Sequence, residues 1–375
     1  MEAPAALLPL WSWPLVAATT SAVLTEAAIG YARRRALIDQ PGYRRMHRVP
    51  TPRGGGIGIV AAAFLACVVL PWPGVAPDRR TELVALALGL LAVAGAGAWD
   101  DHRSLPALPK LVAHLVAAVL CVAANGSALL ASARGAVGPD LAVPAALLCG
   151  GLVVLAIVWS INLHNFMDGI NGLLASQAAF VFAALAWLPL TGLDAAQRWG
   201  MLAIAAAALA FLPFNFPQAR VFMGDVASGV LGLLVAATTW RTPAALLLLM
   251  LNSAFIVDAS ATLVARLLRG RRWYSAHREH LYQWLARSGF SHAQVVGLYA
   301  LWNLCIALPS ALIYLYWPRI LAGLSVRPVR DPILPAPPGP VWLIALVLLS
   351  GTVLWWFGRR WCLVHVRAAG CRHAA

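Results

Sequence analysis

Long apolar stretches, separated by short polar segments, follow one another along almost the whole chain. A helix needs about 20 predominantly apolar residues to cross a bilayer. The pattern therefore predicts an all-α protein, a polytopic integral membrane helical bundle of about ten or eleven transmembrane helices. The predicted spans lie near residues 7–29, 55–73, 83–99, 111–130, 142–162, 172–191, 199–214, 225–240, 243–267, 293–317 and 340–357.

The composition excludes a water-soluble domain. Of the 375 residues, 61% are hydrophobic and only 11% are charged, and the mean hydropathy is +0.77. The chain has 16 Trp and 25 Pro, which fits interfacial aromatic anchors and interrupted helices in a membrane bundle. The six Cys contain no CxxC pair, so neither a disulfide framework nor a zinc site is expected.

The charge pattern predicts an orientation. The net charge is +14, and in a membrane protein an arginine excess indicates topology first and attraction for anionic lipids or phosphates second. Nucleic acid is not expected as a partner. If the N-terminus is outside, most of the 28 basic residues fall on the cytoplasmic side, as the positive-inside rule requires. We expect a retained first helix, a cytoplasmic C-terminus and a bacterial inner-membrane location with the active site facing the cytoplasm.

One transmembrane catalytic domain is expected to cover residues 1–375, with the polar motifs inside a core at residues 39–283. The segment 318–340 has five Pro between Pro332 and Pro340. Such a segment is expected to form an external loop without a fold of its own.

Carboxylates gather where predicted helices leave the membrane, on the expected cytoplasmic side. Four aspartates share this placement, Asp100, Asp101, Asp168 and Asp225. A carboxylate at the boundary of an apolar bundle is unfavourable unless it is paired, hydrated or bound to a cation. Clustered oxygen ligands suit Mg²⁺, which takes one or two carboxylates, keeps waters and bridges phosphates. We therefore expect a Mg²⁺ site, in which Mn²⁺ can substitute.

Asp100 and Asp101 are adjacent at the end of the third predicted span. Neighbouring side chains on a helix diverge by about 100°, so both can bind one ion only if the helix has ended there. One interpretation is a polar helix terminus in which an aspartate caps the next turn. The other divides the work, with one acid near the metal or nucleophile and the second positioning Lys110 or Arg103.

The segment at residues 162–173 repeats a polar side chain every three positions, at Asn162, Asn165 and Asp168. This spacing is close enough to a helical period to place all three on one face. The glycines that follow, Gly169 and Gly172, let a backbone turn approach a ligand closely. A polar helix end with turn glycines explains part of the pattern, but not two amides and an acid in line.

Asp225 follows Gly224 at the start of the eighth predicted span. It is either a helix cap or a metal ligand at an anion-favouring helix start, where diphosphate oxygens complete the coordination. Phe222 is placed to stack on a nucleobase, although a single Phe at an interface is more often an anchor.

Two basic loops are candidate phosphate-binding segments. The first carries Arg48 and Arg53 beside three consecutive glycines, which offer backbone amides and positive charge to an anion, although a lone glycine-rich loop is weak evidence. The second carries His277 and His280, with Arg278 between them; the spacing allows a shared helical face. Arginine suits bidentate phosphate contacts, while binding to anionic lipid is the alternative for this patch.

Asp258 and Asn252 lie within the ninth predicted span and need partners inside the bundle. A structural pairing and a role toward the lipid phosphate are both open.

Five motifs between residues 39 and 283 together resemble the polyprenyl-phosphate N-acetylhexosamine-1-phosphate transferase family. They are DQPGYRRMHRVPTPRGGG, WDDHRSLPALPK, NFMDGINGL, FNFPQARVFMGD and HREHLYQ, in family order. The family includes the enzymes that start O-antigen and enterobacterial common antigen synthesis and the phospho-MurNAc-pentapeptide translocase of peptidoglycan. The HREHLYQ motif looks more like the O-antigen-initiating branch.

The resemblance implies a role for each matched residue. Asp225 matches the magnesium ligand, and the acids at 100 and 101 match an essential pair close to the lipid phosphate. The catalytic candidates are Asp100, Asp101, Asp168, His277 and His280. The substrate-binding candidates are Arg48, Arg53, Lys110, Asn162, Asn165, Asn171, Asn215, Phe222 and Arg278. Asn171 stands where family members often have Asp; it keeps the hydrogen-bonding shape but loses a charge, so the resemblance does not imply a strict need for a second carboxylate there.

The implied reaction transfers an N-acetylamino-sugar 1-phosphate from a UDP-sugar to undecaprenyl or another polyprenyl phosphate, releases UMP and initiates O-antigen or other cell-envelope polysaccharide synthesis. A peptidoglycan translocase-like step is the alternative within the family. The rival class is a transporter or lipid-binding membrane protein, but transporters tend to show internal repeats and midplane charges. The expected partners are the two substrates and membrane lipids, and a homodimer is one assembly that remains open.

Overall fold

The computed structural model describes residues 7–41, 49–190, 193–239, 244–271, 277–324 and 340–372. These residues are almost entirely helical. In chain order the helices are α1 (Trp13–Arg34), α2 (Ile57–Phe64), α3 (Pro77–His102), α4 (Ala107–Ala123), α5 (Gly126–Val137), α6 (Pro139–Phe166), α7 (Leu173–Trp187), α8 (Ala195–Asn215), α9 (Asp225–Thr239), α10 (Ala244–Leu251), α11 (Ser253–Leu267), α12 (Leu281–Arg287), α13 (His292–Trp302), α14 (Leu308–Leu324) and α15 (Val341–Arg372). A two-residue antiparallel ladder joins β1 (Ile38–Asp39) to β2 (Thr51–Pro52).

The structure confirms a polytopic helical membrane protein. Among the described residues, seven continuous helical stretches are long and apolar enough to cross a membrane, and α4 with α5 adds an eighth as a bent pair. Two of the seven contain a π-helical segment: Ile57–Gly74, which extends α2, and His292–Trp317, which joins α13 to α14. Each predicted apolar stretch contains helix, but α7 and the apolar part of α9 are shorter than a full span. The outward N-terminus and cytoplasmic C-terminus stay predictions.

Three predicted boundaries differ from the structure. The stretch at 111–130 is broken between α4 and α5, which are bent by 62°. The amide of Asn125 donates to the carbonyl of Cys121 at 2.8 Å, ending α4 where a continuous span was expected. The stretch at 243–267 forms two helices, divided at Asn252. Finally, α14 continues to Leu324, into the segment expected to be a loop, and residues 325–339 lie outside the described residues.

The contacts divide the chain into two compact units. The first consists of Met1–Ala186 and Gly192–Arg241, and the second of Trp187–Thr191 and Thr242–Ala375. The single catalytic domain stays a prediction.

In the first unit, small residues allow close helix packing. Trp13 of α1 is fully buried against alanines of α2 and α8, such as Ala62 and Ala207. The short helix α9 packs against α2, α3, α4 and α6. Gly97 of α3 lets the two backbones meet, because a Cβ there would lie 2.3 Å from the carbonyl oxygen of Asp225.

In the second unit, α11 packs against α15, and α12 packs against α13 and α15. Four polar residues of α11 are almost fully buried, Ser253, Asp258, Thr262 and Arg266.

Candidate active site

The C-terminal ends of α3 and α6 and the N-terminal ends of α4 and α9 carry the polar motifs of the first unit. Asp100 and Asp101 both lie on α3, which ends at His102. Because helical neighbours diverge, the two carboxylates have different partners. An oxygen of Asp100 accepts the backbone N–H of Leu105 at 2.7 Å.

Asp101 turns toward α9 instead. Its two carboxylate oxygens accept the backbone N–H groups of Asp225 at 3.1 Å and Val226 at 3.2 Å. The first amides of a helix have no partner within that helix, so Asp101 caps α9 from a neighbouring helix. Arg53 lies 3.3 Å from the same carboxylate, whose side chain is only 4% exposed. Asp101 thus caps a helix, but a distant one and not the next turn, and its partners differ from those of Asp100. A role of either acid toward a metal or a nucleophile stays a prediction.

Lys110 connects the other acid to α9. Its ammonium nitrogen lies 3.3 Å from Asp100 and 3.2 Å from Asp225. The three side chains are mostly buried, and a buried carboxylate pair is stable only with a cation between or beside it. This contact therefore marks a position where two carboxylates share one positive charge.

The donor set fits magnesium chemistry. Asp100 and Asp225 offer oxygen ligands, which Mg²⁺ prefers, and the ion needs only one or two carboxylates beside waters and phosphate. Within the described residues, no group of three or more His, Cys, Asp or Glu side chains could hold a metal ion by itself. An all-protein cage such as a structural zinc site is not found in this part of the chain.

Two of the three consecutive glycines, Gly55 and Gly56, do not present their amides to an anion, so the expectation is wrong for these two. The N–H of Gly55 donates to the carbonyl of Phe222 at 3.0 Å, and the N–H of Gly56 donates to that of Met223 at 2.9 Å. In return, the N–H of Phe222 donates to the carbonyl of Pro52 at 2.8 Å. The first loop is therefore a backbone partner of the segment before Asp225. Arg48 lies outside the described residues.

The contact of Asp101 with the start of α9 requires a glycine at position 224. Its φ of +81° lies in the left-handed region, and a Cβ there would lie 2.3 Å from a carboxylate oxygen of Asp101. Only glycine adopts this conformation without strain. The residue before Asp225 thus lets the carboxylate of Asp101 reach the start of α9.

Asp168 lies two residues beyond the end of α6, so it does not share a helical face with Asn162 and Asn165 as predicted. Burial raises the pKa of its carboxyl well above the ordinary value, and the neighbouring charges of Asp225 and Asp101 raise it further. Arg53 and a hydrogen bond with the backbone of Gly224 act in the opposite direction. The turn after α6 nevertheless brings this acid beside the others.

The two asparagines of α6 bind neighbouring helices. Asn165 donates to the hydroxyl of Ser228 on α9 at 3.0 Å. Asn162 donates to the carbonyl of Val158 at 2.7 Å, and its amide nitrogen is 3.3 Å from Nδ1 of His114 on α4. Ser228 and His114 were not among the residues predicted from the sequence. A signal existed for His114, which lies one helical turn after Lys110.

Asn215 joins two motifs through backbone atoms. Its oxygen accepts the N–H of Gly172 at 2.7 Å, and its nitrogen donates to the carbonyl of Val221 at 3.0 Å. Asn171 donates to the carbonyl of Pro217 at 2.9 Å. The ring of Phe222 is half-buried. Nucleotide contacts by these three side chains stay predictions, whereas the structure shows that the asparagines hold the turns together.

The histidine motif belongs to the second unit and is not helical where expected. His277 lies in a loop, and His280 immediately precedes α12, so the predicted shared helical face is wrong. The loop still brings the rings together, with centroids 4.9 Å apart. The ring of His280 also stacks on Tyr282 at 5.7 Å. Arg278, which follows His277 in the sequence, is half-buried.

Charge around this loop centres on Glu279. Arg266 of α11 forms an ion pair with it, and Arg271 and Arg269 lie 3.1 and 3.4 Å from its oxygens. Burial lowers the pKa of His277 to about 4, and the nearby His280 and Arg266 act in the same direction. His277 is therefore neutral near pH 7, so it contributes hydrogen bonding rather than positive charge.

Comparison with known proteins covers most of the chain. The model of glycosyl transferase family 4 matches residues 83–242. The decaprenyl-phosphate N-acetylglucosaminephosphotransferase of Mycobacterium tuberculosis (strain ATCC 25618 / H37Rv) is 32% identical over 344 residues, which cover 82% of this chain and 84% of that protein. The probable undecaprenyl-phosphate N-acetylglucosaminyl 1-phosphate transferase of Bacillus subtilis (strain 168) is 26% identical, covering 75% and 78%. The phospho-N-acetylmuramoyl-pentapeptide-transferase of Bacillus pumilus (strain SAFR-032) is 28% identical, covering 65% and 78%.

Proposed function

The chain belongs to glycosyl transferase family 4 and is a glycosyl-1-phosphate transferase, and we propose that it transfers an N-acetylamino-sugar 1-phosphate from a UDP-sugar to a polyprenyl phosphate. The observation that carries the proposal is the contact of Lys110 with both Asp100 and Asp225. It places paired carboxylates and a cationic side chain at one end of an apolar bundle, where a lipid phosphate and a water-soluble nucleotide can meet.

The sugar we propose is N-acetylglucosamine. The mycobacterial and Bacillus subtilis relatives carry this sugar in their names, and the mycobacterial match covers more of the chain than the match to the pentapeptide transferase. The peptidoglycan step is the second candidate, because that relative also aligns over 65% of the chain. The product would enter cell-envelope polysaccharide synthesis.

Asp225 and Asp100 are the residues that would hold Mg²⁺, together with oxygens of the diphosphate. When bound, the ion supplies charge stabilisation to the diphosphate oxygens. This metal proposal is supported by the carboxylate oxygens of the two acids and by the position of the Lys110 ammonium group, which both acids share. Lys110, already between the two acids, would keep a positive charge beside the phosphates in every state of the site.

The proposed transfer is an in-line displacement. A non-bridging oxygen of the lipid monophosphate forms a bond to the sugar-proximal phosphorus, and the bond from that phosphorus to the bridging oxygen breaks, so UMP leaves with the electron pair. Positioning and charge neutralisation dominate such reactions. Asp100, beside Lys110, would orient the lipid phosphate, while Asp101 holds the start of α9 and is not the base.

The inner membrane, with this end of the first unit toward the cytoplasm, is the proposed location, since UDP-sugars are cytoplasmic metabolites. The contribution of the histidine loop to the same reaction, and a homodimeric assembly, stay predictions.

The test is transfer by purified full-length protein in detergent, with decaprenyl or undecaprenyl phosphate and a panel of UDP-N-acetylglucosamine, UDP-N-acetylgalactosamine and UDP-MurNAc-pentapeptide. Labelled lipid product and UMP should appear in equal amounts with the first donor. EDTA should abolish transfer and added Mg²⁺ should restore it, while Asp225→Asn should remain inactive with the ion. Product with the pentapeptide donor alone would select the second candidate, and transfer unaffected by EDTA would remove the metal proposal. A transporter would form no lipid-linked sugar.

A further inference from the structure

Asp258 is a buried carboxylate without an assigned role. It lies on α11, and its residue is only 2% exposed. A charge in such surroundings is stable only when hydrogen bonds replace its lost water. Its oxygens accept the backbone N–H groups of Leu281 at 2.6 Å and Tyr282 at 3.2 Å. These are the first two amides of α12, so Asp258 binds the chain immediately after the HREH loop, which comprises residues 277–280.

Three further donors complete the carboxylate. The hydroxyl of Tyr299 on α13 donates to one oxygen at 2.7 Å. The indole N–H of Trp355 on α15 and the hydroxyl of Thr262 on α11 donate to the other, at 3.1 and 3.3 Å. Each oxygen of Asp258 therefore accepts one backbone N–H and at least one side-chain donor. A carboxylate with both oxygens engaged in this way is a fixed anchor, not a proton acceptor for a substrate.

The same face of α11 also holds the loop itself. Asp258, Thr262 and Arg266 recur every four residues, so they form one stripe along the helix. Arg266 pairs with Glu279 of the loop, and the hydroxyl of Thr262 lies 3.5 Å from the carbonyl oxygen of Glu279. The HREH loop is thus bound near its middle and at its end by a single helix.

We propose that Asp258 is a positioning residue that holds the HREH loop in the backbone conformation from which it binds a phosphate group of a substrate. The loop carries His277, Arg278 and His280, whose side chains could contact phosphate oxygens only from a defined backbone. If the loop is ordered for only part of the time, its apparent affinity for the ligand falls by that fraction. The part of this inference that concerns the substrate phosphate rests on the proposed function; the anchoring of the loop does not.

The first experiment measures amide hydrogen exchange of the full-length protein in detergent by mass spectrometry. An asparagine at 258 has one acceptor oxygen, so in either orientation its NH₂ group faces a backbone N–H of α12. Asp258→Asn should accelerate exchange in the peptide covering residues 277–287 by about tenfold or more, because a buried N–H that loses its acceptor destabilises the closed state of this segment. Exchange in the first unit should not change.

A matched control and a milder variant accompany it. Ser253 also lies on α11 and accepts the indole N–H of Trp302 at 2.8 Å, so Ser253→Ala removes a hydrogen bond from the same helix without touching the loop. It should leave exchange at 277–287 unchanged. Tyr299→Phe removes only one of five donors from Asp258 and should give a smaller acceleration there, which keeps the test available if the asparagine variant does not fold.

The second experiment measures steady-state transfer. The KM of the substrate whose phosphate the loop binds, the UDP-sugar or the polyprenyl phosphate, should rise about tenfold in Asp258→Asn, while kcat and the KM of the other substrate change little. Unaltered exchange at 277–287 in both variants, or accelerated exchange with an unchanged KM for both substrates, would overturn the inference. If the wild-type protein transfers no sugar phosphate, the proposed function fails, and the exchange data alone still decide whether Asp258 anchors the loop.

Discussion

Asp101 accepts the backbone N–H of Asp225 at 3.1 Å, so one acid of the adjacent pair holds the start of the helix that carries the candidate metal ligand. Its neighbour Asp100 faces Lys110 instead. The pair is therefore not two equivalent carboxylates at one ion. One acid belongs to the charged cluster, and the other fixes where that cluster stands.

Removal of the cap should separate these tasks. Asp101→Ala leaves two α9 amides without acceptors and should lower the free energy of unfolding by about 0.5–2 kcal/mol, together with a loss of transfer. Asp101→Asn keeps one acceptor and should be less affected in both measurements. Thermal unfolding in detergent and the transfer rate report the outcome, with Asp140→Ala, an exposed acid of α6, as control. A proton-accepting role would instead make both variants equally inactive at an unchanged melting temperature.

Replacement of Lys110 should expose the repulsion between the acids that it joins. Lys110→Met keeps a similar length but leaves Asp100 and Asp225 without their shared cation, so Mg²⁺ should raise the melting temperature of the variant more than that of the wild type. The transfer rate should fall on the order of 10²-fold, as for loss of one preorganised charge donor. Lys110→Arg should be intermediate. Wild-type turnover with an ordinary response to Mg²⁺ would count against this role.

Two glycines of α3 offer a matched steric test. A Cβ on Gly97 would lie 2.3 Å from the carbonyl oxygen of Asp225, whereas a Cβ on Gly95 would meet nothing within 4 Å. Gly97→Ala should push α3 away from α9, destabilise the protein by about 1–3 kcal/mol and reduce transfer. Gly95→Ala should be neutral or stabilising by up to about 1 kcal/mol. Equal melting temperatures and rates for the two variants would mean that the close helix contact does not support the site.

Asp168 should reduce stability as pH rises in metal-free buffer. Its pKa in the folded protein is above the ordinary value of 3.8, so above that pH the unfolded chain binds fewer protons than the folded one, and stability decreases with pH. The Asp168→Asn variant has no buried carboxyl to ionise. Its melting temperature at neutral pH in EDTA should therefore exceed that of the wild type, by roughly 2–4 °C for each 1 kcal/mol gained in the free energy of unfolding. The difference should shrink as pH falls toward 3.8. A variant that melts lower than wild type throughout would refute the argument.

The helical membrane fold could be predicted from the sequence because its signal is local and long. Each predicted apolar stretch contains helix in the described residues, since a bilayer selects for sums of hydropathy over about 20 residues. The breaks at Asn125 and Asn252 were missed because single polar residues hardly change such a sum. The acids that gather at one end of the first unit were also identified, since charge in an apolar chain is conspicuous.

The partners of those acids could not be predicted. Gly55 and Gly56 were expected to offer amides to an anion, and they instead donate to carbonyls more than 160 residues later in the chain. In the second unit, the spacing of Asp258, Thr262 and Arg266 was visible in the sequence, but nothing in it indicated that the stripe faces the HREH loop.

Sequence patterns are enough to predict the helical membrane class, the family resemblance and the residue types that bring chemistry to the site. The cap of α9 by Asp101, the contact of Lys110 with two acids and the contact of Asp258 with the HREH loop become visible only in the packed helices. The two kinds of feature differ in the length of chain over which they act and in the precision of the atomic positions that they need. Hydropathy acts through composition over a whole span, whereas a hydrogen bond depends on the separation of two atoms to within a few tenths of an ångström, which the packing of distant helices sets.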